Sequence, residues 1–313
     1  MKFTAAELEE LADRRGGAFA VDSPAAAEAF TRRLALGHYE NFPVASFLLP
    51  AAQRRHVFNI YAFARIADDI ADEPNGLATE QRLFMLDNFR RLLHEEEPGS
   101  NPVFTALRRT RDELDIPVAP FDRLLNAFKS DVRFSTPANM KELLAYCHDS
   151  ADPIGELVLR VFGLWHPLRS EYSDMICSAL QLANFWQDFS RDLPRGRCYI
   201  PADILRKFNL VPEQLRRARR RRDLPESFGD CVAHLTAEAR TRLERGASLL
   251  DMTPHMRLRM ELAAIVNGGR AILAKTERLG ADVIEFRPNL RTFDLGIILL
   301  KTLLRMRPAA IRL

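Results

Sequence analysis

Two pairs of aspartates, Asp68 with Asp72 and Asp188 with Asp192, repeat one spacing of four residues. On a helix that spacing puts both carboxylates on one face, one turn or roughly 6 Å apart. Oxygen donors so placed suit magnesium, which keeps several waters and shares its shell with phosphate oxygens. Spacing alone does not decide, because acids make up 42 of 313 residues and surface helices carry such pairs by chance. The surroundings do. Tyr61, Arg65, Asp68 and Asp72 recur at helical intervals as one polar stripe, while Ile60, Phe63, Ala67 and Ile70 make the other faces apolar. Gln181, Asn184, Asp188 and Asp192 form a second stripe, flanked by Leu180, Ala183, Phe185, Trp186 and Phe189.

A helix that is apolar nearly all round is buried, so each stripe is expected to face an interior cavity. Paired carboxylates there repel by a few kcal/mol at an effective dielectric of about 20. Buried charge needs a partner, and neither stripe carries enough cations to supply it. A hard divalent cation resolves the conflict, and two facing stripes would hold magnesium and a diphosphate between them. Magnesium neutralises charge on a departing diphosphate, so a carbon–oxygen bond can ionise to a carbocation. Apolar and aromatic walls then shield the cation from random capture.

The elements that must position these residues are helices. Ala, Leu, Arg and Glu dominate long stretches, glycine is scarce at 14 residues, and no run alternates apolar with polar residues, so the fold class is all-α. Pro and Gly signals predict helices over 25–37, 51–72, 79–94, 102–114, 121–131, 140–147, 153–162, 168–192, 201–208, 225–250 and 256–279, with a last one beginning near Asp294. The breaks are short, which fits a single domain over 1–313 with a variable segment at 1–20.

No apolar stretch is long enough to span a bilayer; Gly296-Ile297-Ile298-Leu299-Leu300 ends at Lys301. The N-terminus carries acids and lacks a signal-peptide core, so the expected location is the cytoplasm. Cys147, Cys177, Cys198 and Cys231 form no Cys-x-x-Cys pair and read as reduced core residues. The net charge of +3 conceals a run of six arginines within Arg216–Arg222, without which the chain is slightly acidic. That run is either a solvated helix end or a peripheral contact with anionic lipid head groups. It lacks the interleaved aromatics that would stack nucleic-acid bases. Gly268-Gly269 reads as close helix packing, and without Gly-x-Gly-x-x-Gly there is no Rossmann nicotinamide site.

Around these residues the sequence resembles the squalene/phytoene synthase family, from about His38 to Arg287. The landmarks come in order: Tyr61-x-x-x-Arg65 before the first Asp motif, then Tyr146-Cys147 with Gly155. Gln181-x-x-Asn184 follows, leading into the second Asp motif, and then Arg197-x-Tyr199-x-Pro201. The resemblance implies a helical isoprenoid synthase bundle with a central cavity, magnesium and prenyl diphosphate substrates. It implies Asp68, Asp72, Asp188 and Asp192 as metal ligands. It also implies His38, Tyr61, Arg65, Gln181, Asn184 and Arg287 as diphosphate contacts, with Arg197 and Tyr199 bordering the second motif. Within the family, Glu40-Asn41-Phe42-Pro43-Val44-Ala45-Ser46 and Asn184-Phe185-Trp186-Gln187-Asp188 are similar to the hydroxysqualene synthase branch. Members of that branch convert presqualene diphosphate and water to hydroxysqualene.

Two departures bear on that choice. Asn41-Phe42 stands where head-to-head condensing enzymes usually have Ser-Phe, and Gln187 where they usually have Arg. Loss of that fixed charge is expected if one diphosphate is held rather than two. The rival readings are condensation of two prenyl diphosphates and a non-catalytic, family-derived assembly or lipid-binding protein, which should have lost acidic ligands that are all intact here. Among the remaining residues, Asp69 and Glu73 lie off the main stripe and are expected to face solvent or cap the helix. Arg65 is weighed as a diphosphate contact against simple neutralisation of Asp68 or Asp69.

Overall fold

The helix-forming composition is expressed throughout the computed structural model, which describes residues 3–37, 49–72, 76–97 and 99–305. Helices and short 3₁₀ turns make up its regular structure, and no strand occurs among the described residues. The chain divides into two compact units: residues through Phe134 together with Pro153–His166, and Ser135–Asp152 together with the chain from Pro167 onward.

The first unit holds α1 (Ala5–Leu11), α2 (Pro24–Gly37), α3 (Ala51–Ala71), α4 (Thr79–His94), α5 (Pro102–Leu114) and α6 (Ala119–Val132). Helix α1 falls in the segment read as variable. Thr4 and Glu7 cap it reciprocally, and Leu8 and Leu11 are fully buried. Asn101 caps α5 through the Val103 and Phe104 N–H groups, while its own amide donates to Leu11 and Asp13 carbonyls at 2.8 Å.

Helix α3 is the spine of this unit. Phe63, fully buried, meets Phe89 of α4, Phe104 of α5 and Phe121 of α6 at centroid distances of 5.6, 6.0 and 5.3 Å. Its register is fixed by a polar residue one turn earlier. Asn59 accepts from the Thr31 hydroxyl at 2.6 Å and donates to the Ala106 carbonyl and Thr110 Oγ1 at 3.2 and 3.0 Å. Every member is buried, so sliding or rotating α3 would leave several groups unsatisfied. At the end of α3 the buried Arg82 donates from Nη1 to the Ala71 carbonyl at 2.8 Å, placing a cation where the helix dipole is negative. Helix α8 (Asp152–Val161) contributes all but its first residue to this unit.

The second unit holds α7 (Met140–Ser150), α9 (Pro167–Gln187), α10 (Phe189–Asp192), α11 (Ala202–Lys207), α12 (Pro212–Arg217), α13 (Ser227–Gly246), α14 (Met256–Leu279) and α15 (Thr292–Arg305). Helices α9, α13 and α14 approach closely at two glycines. A Cβ on Gly246 would stand 2.8 Å from Ile176, and one on Gly269 would stand 2.6 Å from Leu180. The Gly268-Gly269 pair therefore serves packing, as the sequence indicates.

The expected helix over 168–192 is broken. Its first part ends at Gln187, and Asp188 adopts φ −99°, ψ 15°, outside the helical well, before α10 resumes. Two side-chain contacts from one distant segment explain the break. Gln187 donates its amide to the Pro288 carbonyl at 2.6 Å, and Arg287 clasps the Asp188 carboxylate.

Candidate active site

Helix α3 turns Tyr61, Arg65 and Asp68 toward a cavity of about 240 Å³ within the first unit. Val57, Ile60 and Ala64 of α3, Phe128 of α6, and Ile154, Leu157, Val158 and Val161 of α8 complete its lining. The polar stripe thus borders an apolar chamber. Asp68 keeps 45% of its side-chain surface accessible, yet it lies in a concavity crowded by protein. Burial first, and then the Asp72 charge, push its carboxyl up to about 7, against the pull of Arg65. Asp72 is the first residue past the helix: its backbone is extended (φ −77°, ψ 136°), and its N–H still donates to the Asp68 carbonyl at 3.0 Å.

Asp69 is a correction to the sequence reading. It is buried and accepts both arms of Arg65, from Nε at 3.2 Å and from Nη2, while Arg65 Nη1 lies 3.5 Å from Asp68 Oδ2. The i, i+4 pairing outweighs the off-stripe position: a long guanidinium reaches one turn along the helix and takes the carboxylate with it out of solvent. Burial opposes the charge on Arg65, but Asp69 and Asp68 overcome it and its pKa is raised. Asp69 therefore holds Arg65 along the stripe. Glu73 lies outside the described residues.

In the second unit Asp188 retains 13% of its side-chain surface and is held by Arg287, through Nε to Oδ1 and through Nη2 to Oδ2 at 3.1 Å. Arg191 stands 3.9 Å away. Asp192 remains in helical register, its N–H donating to the Asp188 carbonyl at 2.9 Å. Burial and then Asp188 push its carboxyl up to about 6, against Arg197, Arg195 and Arg191. Beside this pair Phe185 and Tyr199 stack at 3.8 Å with an 11° interplanar angle, and Tyr146 lies 6.0 and 6.2 Å from the two rings.

One member of each acidic pair, Asp68 in the first and Asp192 in the second, is therefore a carboxylate whose charge is disfavoured by its surroundings. Among the described residues no three His, Cys, Asp or Glu side chains gather into a metal site made by protein ligands alone. Pairs are what magnesium needs when waters and phosphate oxygens complete its shell, so the donor set fits that ion.

Residues 36–294 match the squalene/phytoene synthase family. The chain belongs to that family. It is 34% identical over 239 residues to a hydroxysqualene synthase of Sinorhizobium fredii, covering 74% of this chain and 78% of that one. It is 30% identical over 233 residues to a phytoene synthase of Mycobacterium tuberculosis, covering 73% and 72%. The crystal structure of squalene synthase HpnC from Alicyclobacillus acidocaldarius superposes with a TM-score of 0.77 at 36% identity, over 84% of this chain and 97% of that one. Squalene/phytoene synthases are enzymes acting on isoprenyl diphosphates, and the all-helical isoprenoid synthase fold agrees with the sequence reading.

The residues that the family resemblance singles out fall into three groups. Tyr61, Arg65, Asp68 and Asp72 come together on α3 in the first unit. Gln181, Asn184, Gln187, Asp188 and Asp192 follow one another along α9 and α10 in the second unit. There Arg197 donates its N–H to the Asp192 carbonyl at 3.0 Å, Tyr199 stacks on Phe185, and Arg287 joins from the segment before α15. Asn184 is exposed rather than lining a closed wall. His38, Asn41 and Phe42 lie outside the described residues.

Gln187 donates its amide to the Pro288 carbonyl, and the neighbouring Arg287 holds its guanidinium against Asp188. Arg82, Asp69 and Asn59 are positioning residues that the sequence reading missed. The Arg65/Asp69 spacing was the one readable signal among them.

The arginine run forms the end of α12 and a 3₁₀ turn over Arg221–Asp223. Asp223 accepts from the Arg219 and Arg220 N–H groups at 3.0 Å, and Arg221 lies 3.6 Å from Asp282. None of the four cysteines is in a disulfide, and burial pushes the Cys147 and Cys231 thiols up to about 12.

Proposed function

We propose that the protein is a hydroxysqualene synthase, converting presqualene diphosphate and water to hydroxysqualene and diphosphate. The observation that carries this reading is the α3 stripe, where Tyr61, Arg65 and Asp68 open onto an apolar cavity. A charged end joined to a hydrocarbon-lined chamber suits an isoprenyl diphosphate, and the hydroxysqualene synthase relatives of Sinorhizobium fredii and Zymomonas mobilis favour this branch.

On this reading Asp68 with Asp72, and Asp188 with Asp192, would hold magnesium, each pair within its own unit. Bound magnesium would supply charge neutralisation as the diphosphate leaves with the electron pair of the broken carbon–oxygen bond. Tyr61 and Arg65 in the first unit, and Gln181, Asn184 and Arg287 in the second, would contact diphosphate oxygens, and the apolar walls exclude water until the rearranged cation is captured. Water adds its oxygen to that cation and gives its proton to solvent. Cysteines outside any disulfide fit a reducing cytoplasm, and Arg216–Arg222 would attract anionic head groups.

Supplying presqualene diphosphate and farnesyl diphosphate separately, with magnesium and no nicotinamide, tests the proposal. An alcohol carrying oxygen from labelled water, formed only from presqualene diphosphate, is the expected product. A dimeric diphosphate or phytoene-like hydrocarbon made from simple prenyl diphosphates would instead support condensation, the reading favoured by the phytoene synthase relative.

A further inference from the structure

Helix α15 is packed on the second unit by a single narrow stripe. Ile298 and Thr302 are its buried residues, and the Thr302 hydroxyl accepts from Asn267 of α14 at 3.3 Å. Asp294 lies on the same side, bonded to Lys275 at 2.5 Å and to the Arg291 N–H at 2.6 Å. Almost everything else on the helix is exposed and apolar. Phe293, Leu295, Leu299, Leu300, Leu303 and Leu304 lie open, with Phe293 exposing 79% of its surface and Leu299 and Leu300 each exposing 57%.

At about 100° per residue these side chains, with the exposed Ile297, spread over an arc of roughly 200° that also holds Thr292 and Gly296. A partner helix needs a stripe about half that width, flanked by polar residues. So broad an apolar arc is satisfied by immersion rather than by one facing protein surface. Over its described residues the helix is about 21 Å long, and its one-sided apolar arc suits it to lying in the plane of a bilayer. No helix among the described residues is long and apolar enough to cross a membrane.

Charge selects the occupant. Asp294 is the acid on α15 and is already engaged, Arg305 lies 3.9 Å from Asp251, and Lys301 is an exposed cation beside the apolar arc. A second copy meeting this face would bring that lysine against its own counterpart. An anionic head-group layer would be attracted by it while its acyl region receives the leucines.

We propose that α15 is an interfacial helix that docks the protein on anionic lipid bilayers. Its apolar arc lies in the acyl boundary, and Lys301 at the edge of that arc lies among the head groups. The Arg216–Arg222 run lacks apolar side chains to insert, so it would add attraction without anchoring. The docking does not depend on which isoprenoid reaction the protein performs.

Co-sedimentation of the full chain with vesicles of phosphatidylcholine and phosphatidylglycerol in equal parts tests this, against vesicles of phosphatidylcholine alone. The wild type is expected to pellet with the anionic vesicles only. Leu299→Glu and the milder Leu303→Gln should lose that pelleting while circular dichroism and the thermal transition stay unchanged, because both side chains are exposed. Absence of wild-type pelleting, equal binding to neutral vesicles, or full binding by both variants would overturn the proposal. So would a vesicle-free dimer that Leu299→Glu dissociates, since a second copy would then cover the face. Loss of binding on replacing Arg220, Arg221 and Arg222 by Ala, with Leu299→Glu still bound, would likewise overturn it by moving the contact to the arginine run.

Discussion

Arg287 and Asp188 stand 99 residues apart in the chain, yet the guanidinium engages both carboxylate oxygens, Nη2 reaching Oδ2 at 3.1 Å. The pair sits at the break between α9 and α10, with Gln187 tied to Pro288 one residue away. A distant segment thus sets the orientation of the first aspartate of the second motif. Lysine at position 287 keeps the charge but loses the planar fork. Arg287→Lys is therefore expected to lower kcat/KM on the diphosphate substrate roughly tenfold, the scale of one charge-assisted hydrogen bond of about 1.5 kcal/mol. The thermal transition should hardly move, because the arginine is partly exposed. Steady-state kinetics beside calorimetry separates the two effects, and unchanged kcat/KM would remove Arg287 from the site.

Asp68 offers a test with opposite signs in its two readouts. Its charged form is disfavoured by burial and by Asp72, so neutral asparagine should leave the ligand-free fold as stable as before, or more so, at neutral pH. Catalysis should respond the other way. Asp68→Asn, like Asp188→Asn, is expected to reduce turnover by orders of magnitude if those carboxylates hold the metal. Wild-type turnover in either variant would dismiss the metal assignment, and a large loss of stability in Asp68→Asn would show that the charge is structural.

What the sequence made legible follows from the range of the interactions involved. Local propensity and end signals placed α4, α5 and α14 at their observed bounds and α3 to within a residue. The Thr4-x-x-Glu7 capping box of α1 was equally local and could have been read. Asp69 was misplaced because the angular position of a residue does not say how far a neighbouring guanidinium will draw it in. Arg82 on the Ala71 carbonyl, Gln187 on Pro288 and Arg287 on Asp188 join segments whose proximity only the fold creates. The motif residues were legible, and the residues that hold them were not.

The network around Asn59 predicts a stability effect without a direct catalytic one. Asn59→Leu preserves volume but strands Thr31, Thr110 and the Ala106 carbonyl inside the first unit. Leaving buried polar groups unpaired costs about 1–3 kcal/mol each, partly relieved by relaxation. A total loss of about 2–4 kcal/mol is expected, read as a lower urea midpoint with little change in slope. A change below about 0.5 kcal/mol would mean that α3 is held in register by its phenylalanines alone.

Glu261 on α14 predicts how stability depends on pH. It is 4% exposed, its Oε2 has no hydrogen-bond partner, and burial pushes its carboxyl up to about 7. The folded state therefore holds this proton more tightly than the unfolded chain. Between the ordinary glutamate range and about 7 the folded protein binds more protons, so unfolding free energy falls as pH rises. The full penalty, on the order of 3 kcal/mol, is present above about pH 7 and absent near about pH 4. Glu261→Gln carries no charge at any pH and should remove this contribution. Its stability should approach that of the wild type at about pH 5 and exceed it at about pH 8, with the gap widening between them. Denaturant titrations at the two pH values measure that gap. A constant difference would mean that the carboxyl finds a partner or water when charged.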